Sequence, residues 1–135
     1  MSLQVVEQFV DQINTHSVDG IVRLMTDDHL FVDSLGHAIR GREATRRAWA
    51  AYFEWMPDYR IHVENMLERD HVVALFGRAS GTYAVGGALH HENRWEIPAA
   101  WRVVVRDGLA AEWQVYADNK PVYEMMSRGR GLGES

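Results

Sequence analysis

Between Asp58 and Ala117 the chain alternates apolar and polar residues with little interruption. Trp95, Ile97, Ala99, Trp101, Val103 and Val105 share one set of alternate positions, and Arg94, Glu96 and Arg102 the other. A period of two belongs to strands with one buried and one wet face, so the chain cannot be all-helical and must build a large sheet. Tyr59, Ile61, Val63, Asn65 and Leu67 are read as one face of an earlier strand. Asp70 turns that strand into a second, from His71 to Tyr83. Gly86-Gly87 marks a hairpin loop, and Asp107-Gly108 is a strong two-residue hairpin signal before a fourth long strand from Leu109 to Ala117.

The preceding residues follow a different period. Leu3, Val6, Phe9, Val10 and Ile13 recur at helical steps. Ser17 can cap a second, short helix that buries Ile21, Val22, Leu24 and Met25, and Asp27-Asp28 closes the pair. His29 to Asp33 reads as a short strand and Ser34 to His37 as a turn. A third helix runs from after Gly41 to about Trp55, where Pro57 stops it. A short helix can follow Pro121, and 128–135 is expected to be a frayed tail. Helices first and strands later make the fold class α+β, with three N-terminal helices covering a curved antiparallel sheet and leaving a cone open at one end. Residues 1–127 are read as a single domain.

Composition narrows the function. A net charge of -5 repels a phosphate backbone, so no nucleic-acid partner is expected. Arg40, Arg42, Arg46 and Arg47 are read as a solvated helix face. The longest apolar run, Ala48 to Phe53, is far short of the ~20 residues of a membrane span. With no cysteine, no basic leader and no span, a cytoplasmic location without a membrane partner is expected.

Three stretches resemble the nuclear transport factor 2-like superfamily and its SnoaL-like, polyketide cyclase-like branch. Val5 to Gly36 is similar to the start of the ketosteroid isomerases. Gly41-Arg42-Glu43-Ala44 opens a helix that ends in Pro57. Trp113-Gln114-Val115-Tyr116-Ala117-Asp118 is similar to the last strand of limonene epoxide hydrolases and of many SnoaL-like proteins. The resemblance implies a cone-shaped, cystatin-like roll. It does not imply one reaction, because this fold hosts isomerases, dehydratases, hydrolases, cyclases and non-catalytic binders.

Asp33 stands where the resemblance to the isomerases puts the general base; by itself it reads equally as a turn aspartate before Ser34 and Gly36. His29 has the strand parity of Asp33 and could form an acid/base couple with it, or end the Asp27-Asp28 cap as a surface residue. Asp118 is the last-strand carboxylate that could match the cyclases' acid/base, or it caps the final helix. Phe9 replaces the isomerases' oxyanion tyrosine, and Ala99, Ala100 and Trp101 stand where their second donor belongs, which argues against steroid isomerisation. Val115 replaces the catalytic aspartate of the epoxide hydrolases. The aromatics Trp49, Tyr52, Phe53, Trp55, Tyr59, Trp101 and Trp113, with Phe9 and Val115, are assigned to a hydrophobic pocket, core packing being the other use for some of them. His90-His91-Glu92 points its imidazoles to opposite faces, so no metal site is expected.

The function this supports is cofactor-free proton transfer, of isomerase, cyclase or dehydratase type, on a hydrophobic cyclic or polyketide-like small molecule. The alternative is a non-catalytic binding protein that uses the same pocket. A homodimer through the outer sheet face is expected, because that face would otherwise expose apolar strand residues.

Overall fold

The computed structural model describes residues 2–134, with side chains as far as Arg128. In chain order the elements are α1 (Ser2–Asn14), α2 (Val18–Arg23), β1 (Met25–Val32), β2 (Ala38–Arg40), α3 (Arg42–Trp55), β3 (Arg60–Arg69), β4 (Val72–Val85), β5 (Ala88–Arg106), β6 (Leu109–Tyr116) and α4 (Lys120–Glu134). The strands form one six-stranded sheet in the order β2-β1-β6-β5-β4-β3. Every pairing is antiparallel except β1 with β6, which is parallel.

The helix pair forms as its sequence dictates. Val5, Val6, Phe9, Val10 and Ile13 make the buried stripe of α1, and the Ser17 hydroxyl accepts the Gly20 N–H at 3.1 Å. The chain then departs from the expectation that Asp27-Asp28 ends a helix. It is already extended at Met25, because Met25 pairs with Ala110 of β6. The three-residue β2, too short to show a period, hairpins back onto β1. A fourth helix, α4, also packs on the sheet, burying Val122 and Met125. The three N-terminal helices are therefore not the whole cover. The frayed tail expected over 128–135 falls largely outside the residues whose side chains are described. The arginines of α3 do more than face water. Arg42 donates to the Met25 carbonyl at 2.8 Å, and Arg46 pairs with Asp19.

Three hairpin turns carry the φ values their residues suggest. Asp70 (+57°) joins β3 to β4, Gly86 (+57°) with Gly87 (+79°) joins β4 to β5, and Asp107 (+55°) with Gly108 (+74°) joins β5 to β6. Two consecutive left-handed residues match the right-handed strand twist, which explains why Asp-Gly appears here.

Strand β3 corrects the simple alternation. Val63 faces Gly77 and Asn65 faces Phe76, so Glu64 is an extra residue in a bulge. The bulge reverses the faces: Ile61 is buried, whereas beyond it Met66 turns inward and Leu67 is 62% exposed. The inner face packs under α1 with Phe9, Ile13, Val73, Leu75, Trp101, Val103 and Trp113 at the core. On the outer face Phe76, Ala100 and Tyr116 stand in register across β4, β5 and β6.

Gly77 is the residue the bulge requires. A Cβ there would lie 1.9 Å from the His62 carbonyl oxygen, against backbone that cannot swing aside. Gly77→Ala should cost ~2 kcal/mol or more by forcing the bulge open. Urea unfolding checks this: the midpoint should fall with the slope unchanged.

Candidate ligand-binding site

Under α3 and α4 the sheet leaves a cavity of about 390 Å³, within the usual range for small-molecule sites. It opens where side chains become small. Ala99 is the register partner of Gly77, and Ala79 that of Ile97, so the inner face of β4 and β5 recedes there. Trp49, Ala51, Tyr52 and Trp55 of α3 form the roof, with Val122, Tyr123 and Met126 of α4 beside them. Trp95, Trp113 and Val115 rise from the floor, and Phe31, Asp33 and Ser34 close the β1 end.

Asp33 is held by the turn it makes. Its Oδ1 accepts the backbone N–H groups of Leu35 and His37, each at 2.9 Å, and Gly36 supplies the left-handed residue of the turn at φ +88°. Oδ2 lies 3.4 Å from the exposed His37 Nδ1. Asn119, at the start of α4, donates to the Ser34 hydroxyl and so ties α4 to the same turn.

The other end is pinned from three sides. The His16 Nε2–H donates to the Tyr59 carbonyl at 2.7 Å, with its ring stacked on Phe53 at 4.1 Å. The Asn14 amide takes both the N–H and the C=O of Ile61. The Asp58 carboxylate accepts the Thr82 N–H and hydroxyl, both at 2.7 Å. Tyr52 and Tyr59 meet edge to face at 4.9 Å. Burial pushes both phenols well above the ordinary tyrosine value, and the neighbouring Tyr59 and Tyr123 push Tyr52 further.

Of the residues assigned from sequence, Asp33, Trp49, Tyr52, Tyr59, Trp113 and Val115 share this cavity, and Trp55 joins them. Five do not line it. Phe9 is fully buried against Trp113 at 4.9 Å, in the core between α1 and the sheet. Trp101 shares the strand face of Trp95, Ile97 and Ala99 but lies beyond the last of them, fully buried in the core with its ring 6.3 Å from that of Trp113. Phe53 turns off the cavity onto His16. Asp118 caps α4, its Oδ1 accepting the Lys120 N–H at 3.0 Å. His29 is neither a surface residue nor a neighbour of the ligand space. It is fully buried, stacked on Phe9, and its Nδ1–H donates to the Ala110 carbonyl at 2.7 Å.

Sequence reasoning did not assign Trp95, Ile97, Ala79, Ala99, Asn119 or the α4 residues to the wall. The alternation containing Trp95 and Ile97 was legible, but nothing in it says which rung faces empty space. Among the described residues no cluster of three or more His, Asp or Glu side chains could hold a metal ion, and no helix is long and apolar enough to cross a membrane.

A curved six-stranded sheet covered by helices over an aromatic cavity defines a nuclear transport factor 2-like cone. Solved structures agree. An NTF2-like protein from Cytophaga hutchinsonii superposes with a TM-score of 0.71 at 17% identity, covering 91% of this chain and 95% of its own. A SnoaL-like polyketide cyclase from Jannaschia sp. CCS1, so described provisionally, gives 0.81 at 20% identity, covering 93% and 91%. A ketosteroid isomerase-like protein from Catenulispora acidiphila, in complex with trimethylamine, gives 0.78 at 16% identity, covering 91% and 92%. The family model of the SnoaL-like domain matches residues 6–113, and the chain belongs to that family. No curated protein matches the chain in sequence.

His29 generates a pH prediction. Burial holds its pKa below the ordinary 6.5, outweighing the Ala110 carbonyl bond and the Glu112 and Asp28 charges that pull it up. Above pH 6.5 both folded and unfolded forms are neutral and its contribution is complete. As pH falls below 6.5 the unfolded chain takes the proton first, so stability drops by at most about 1.4 kcal/mol per pH unit until the folded pKa is reached. Thermal unfolding between pH 7 and 5 should therefore show a steeper loss in the unaltered protein than in His29→Gln. Equal slopes would remove this role.

Proposed function

We propose that this protein moves a proton on a hydrophobic, cyclic, polyketide-like small molecule, with the Asp33 carboxylate as base and without a cofactor. One observation carries the reading: Asp33 is the carboxylate in the wall of a cavity lined mostly by aromatic and aliphatic side chains. A base must come within hydrogen-bond reach of the proton it takes, and a carboxylate facing an apolar cavity meets that condition. The turn supplies preorganisation. Two backbone N–H groups fix Oδ1, which leaves Oδ2 to accept the proton. A C–H bond beside a substrate carbonyl then breaks, its electrons move onto the carbonyl oxygen, and Asp33 returns the proton to the same or another carbon.

The second reading is a binding protein that uses the same pocket. It is favoured by the employment of Oδ1 in the turn and by the positions of His29 and Asp118, the other two expected acid/base groups, away from the cavity. Self-association of two copies through the outer face belongs to either reading. It is supported by the exposed Phe76 and Tyr116, which flank the half-buried Ala100 in one cross-strand row. Sedimentation should give a dimer, and a clean monomer at micromolar concentration would contradict it.

The two readings separate in deuterium oxide. β-Tetralone, whose benzylic protons sit beside a carbonyl, should exchange them faster with the protein than without it. Asp33→Asn, which can still accept the two turn N–H groups, should lose about 10²-fold or more of that acceleration by NMR. Quenching of tryptophan fluorescence by the ketone with no acceleration of exchange would establish the binder instead.

A further inference from the structure

The cavity has a second polar feature that a base at Asp33 does not explain. Tyr52 from α3 and Tyr59 from the start of β3 both line it. Among the described residues neither hydroxyl bonds to another group of the chain. Neither is sealed away, in contrast to the indole nitrogens of Trp49 and Trp101. Two hydroxyls that open onto an apolar space lack acceptors that only a ligand or water can supply.

These hydroxyls are also held in place. The Tyr59 backbone is anchored by His16 on its own carbonyl, and by Asp58 and Ile61 on either side. Tyr52 lies inside a regular helical turn, and its ring packs edge to face on Tyr59. Burial keeps both phenols protonated, so each is a donor at any physiological pH. No lysine, arginine or histidine is among the described lining residues, and Asp33 is the carboxylate there. An anionic ligand would find no counter-charge, whereas a neutral oxygen needs none.

We infer that Tyr52 and Tyr59 form a two-donor subsite for a neutral ligand oxygen, a ring carbonyl or phenol, and that this pair rather than shape alone selects oxygenated ring systems over hydrocarbons. The inference rests on the reading that this cavity is the ligand site, and it names donors that the residues at Phe9 and Ala99 cannot be.

Calorimetric titration of the whole chain with α-tetralone and with tetralin, its hydrocarbon of similar shape, tests the subsite. The ketone should bind about tenfold more tightly. Tyr52→Phe and Tyr59→Phe, which keep both rings, should each remove about threefold or more of that preference, and the double variant all of it, with tetralin affinity unchanged. The two single variants are read independently, so poor folding of one leaves the other decisive. The infrared C=O band of bound α-tetralone should move to lower frequency in the unaltered protein and revert in the double variant. Equal affinity for ketone and hydrocarbon, equal losses of both, or an unshifted band overturns the subsite and leaves the pocket standing. Failure of both compounds to bind overturns the pocket reading and the subsite with it.

Discussion

The parallel pairing of β1 with β6 joins the helical half of the chain to the strand half, and the rest of the site depends on it. The ladder is not continuous: Met25 is level with Ala110, yet Leu30 is already level with Glu112. In the gap the chain bows, and Ala110 is gripped twice. Its N–H donates to the Leu24 carbonyl at 2.7 Å, and its carbonyl accepts the His29 imidazole. A side chain thus takes the hydrogen bond that the interrupted ladder would have made, which a buried carbonyl requires. A protonated imidazole there would have to sit in the core beside Phe9, so the joint favours neutral His29. Beyond the joint β1 resumes register, Phe31 against Trp113, and delivers Asp33 to the cavity.

The cavity is a consequence of size differences on one sheet face. Leu75, Trp101 and Val115 fill one cross-strand row, and Val73, Val103 and Trp113 another, while Gly77 and Ala99 leave the next row low. Gly77 serves two purposes there. It lets the β3 bulge close over it, and it contributes no side chain to the space. Because α3 and α4 roof a floor that has dropped, the aromatic rings pack on one another around a void. Polar groups are confined to its ends, each held by backbone hydrogen bonds: the Asp33 turn on one side and the anchored Tyr59 on the other.

Much of this was legible in the residues. Strand alternation around Trp95 to Val105, the Asp107-Gly108 turn, the Ser17 cap and the stop at Pro57 each rest on a local rule, and each holds in the structure. The SnoaL-like resemblance rests on order and spacing, which also survive without coordinates. The expectations that did not hold depended on continuity. Met25 to Asp28 reads as a helix end because nothing local announces a parallel partner 85 residues later. Leu67 reads as buried because a bulge at Glu64 cannot be seen in a period-two pattern. His29 is expected at the site because it has the strand parity of Asp33, Trp101 because it shares a strand face with other aromatics, and Phe9 because it stands where the resemblance puts the isomerases' tyrosine, but a shared face or position does not mean a shared depth.

The sequence by itself determined most of the element types, the α+β order, the family and a set of aromatic and acidic candidates, because those follow from periodicity, capping, turn chemistry and motif order along the chain. Which candidates meet was decided only by the tertiary structure. Asp33 follows a strand near one edge of the sheet and Tyr59 precedes the strand at the other edge. They share one cavity because the sheet between them curves under α3 and α4. That curvature arises from twist accumulated over every strand and from the bulge opposite Gly77, which are properties of paired strands and not of any one segment.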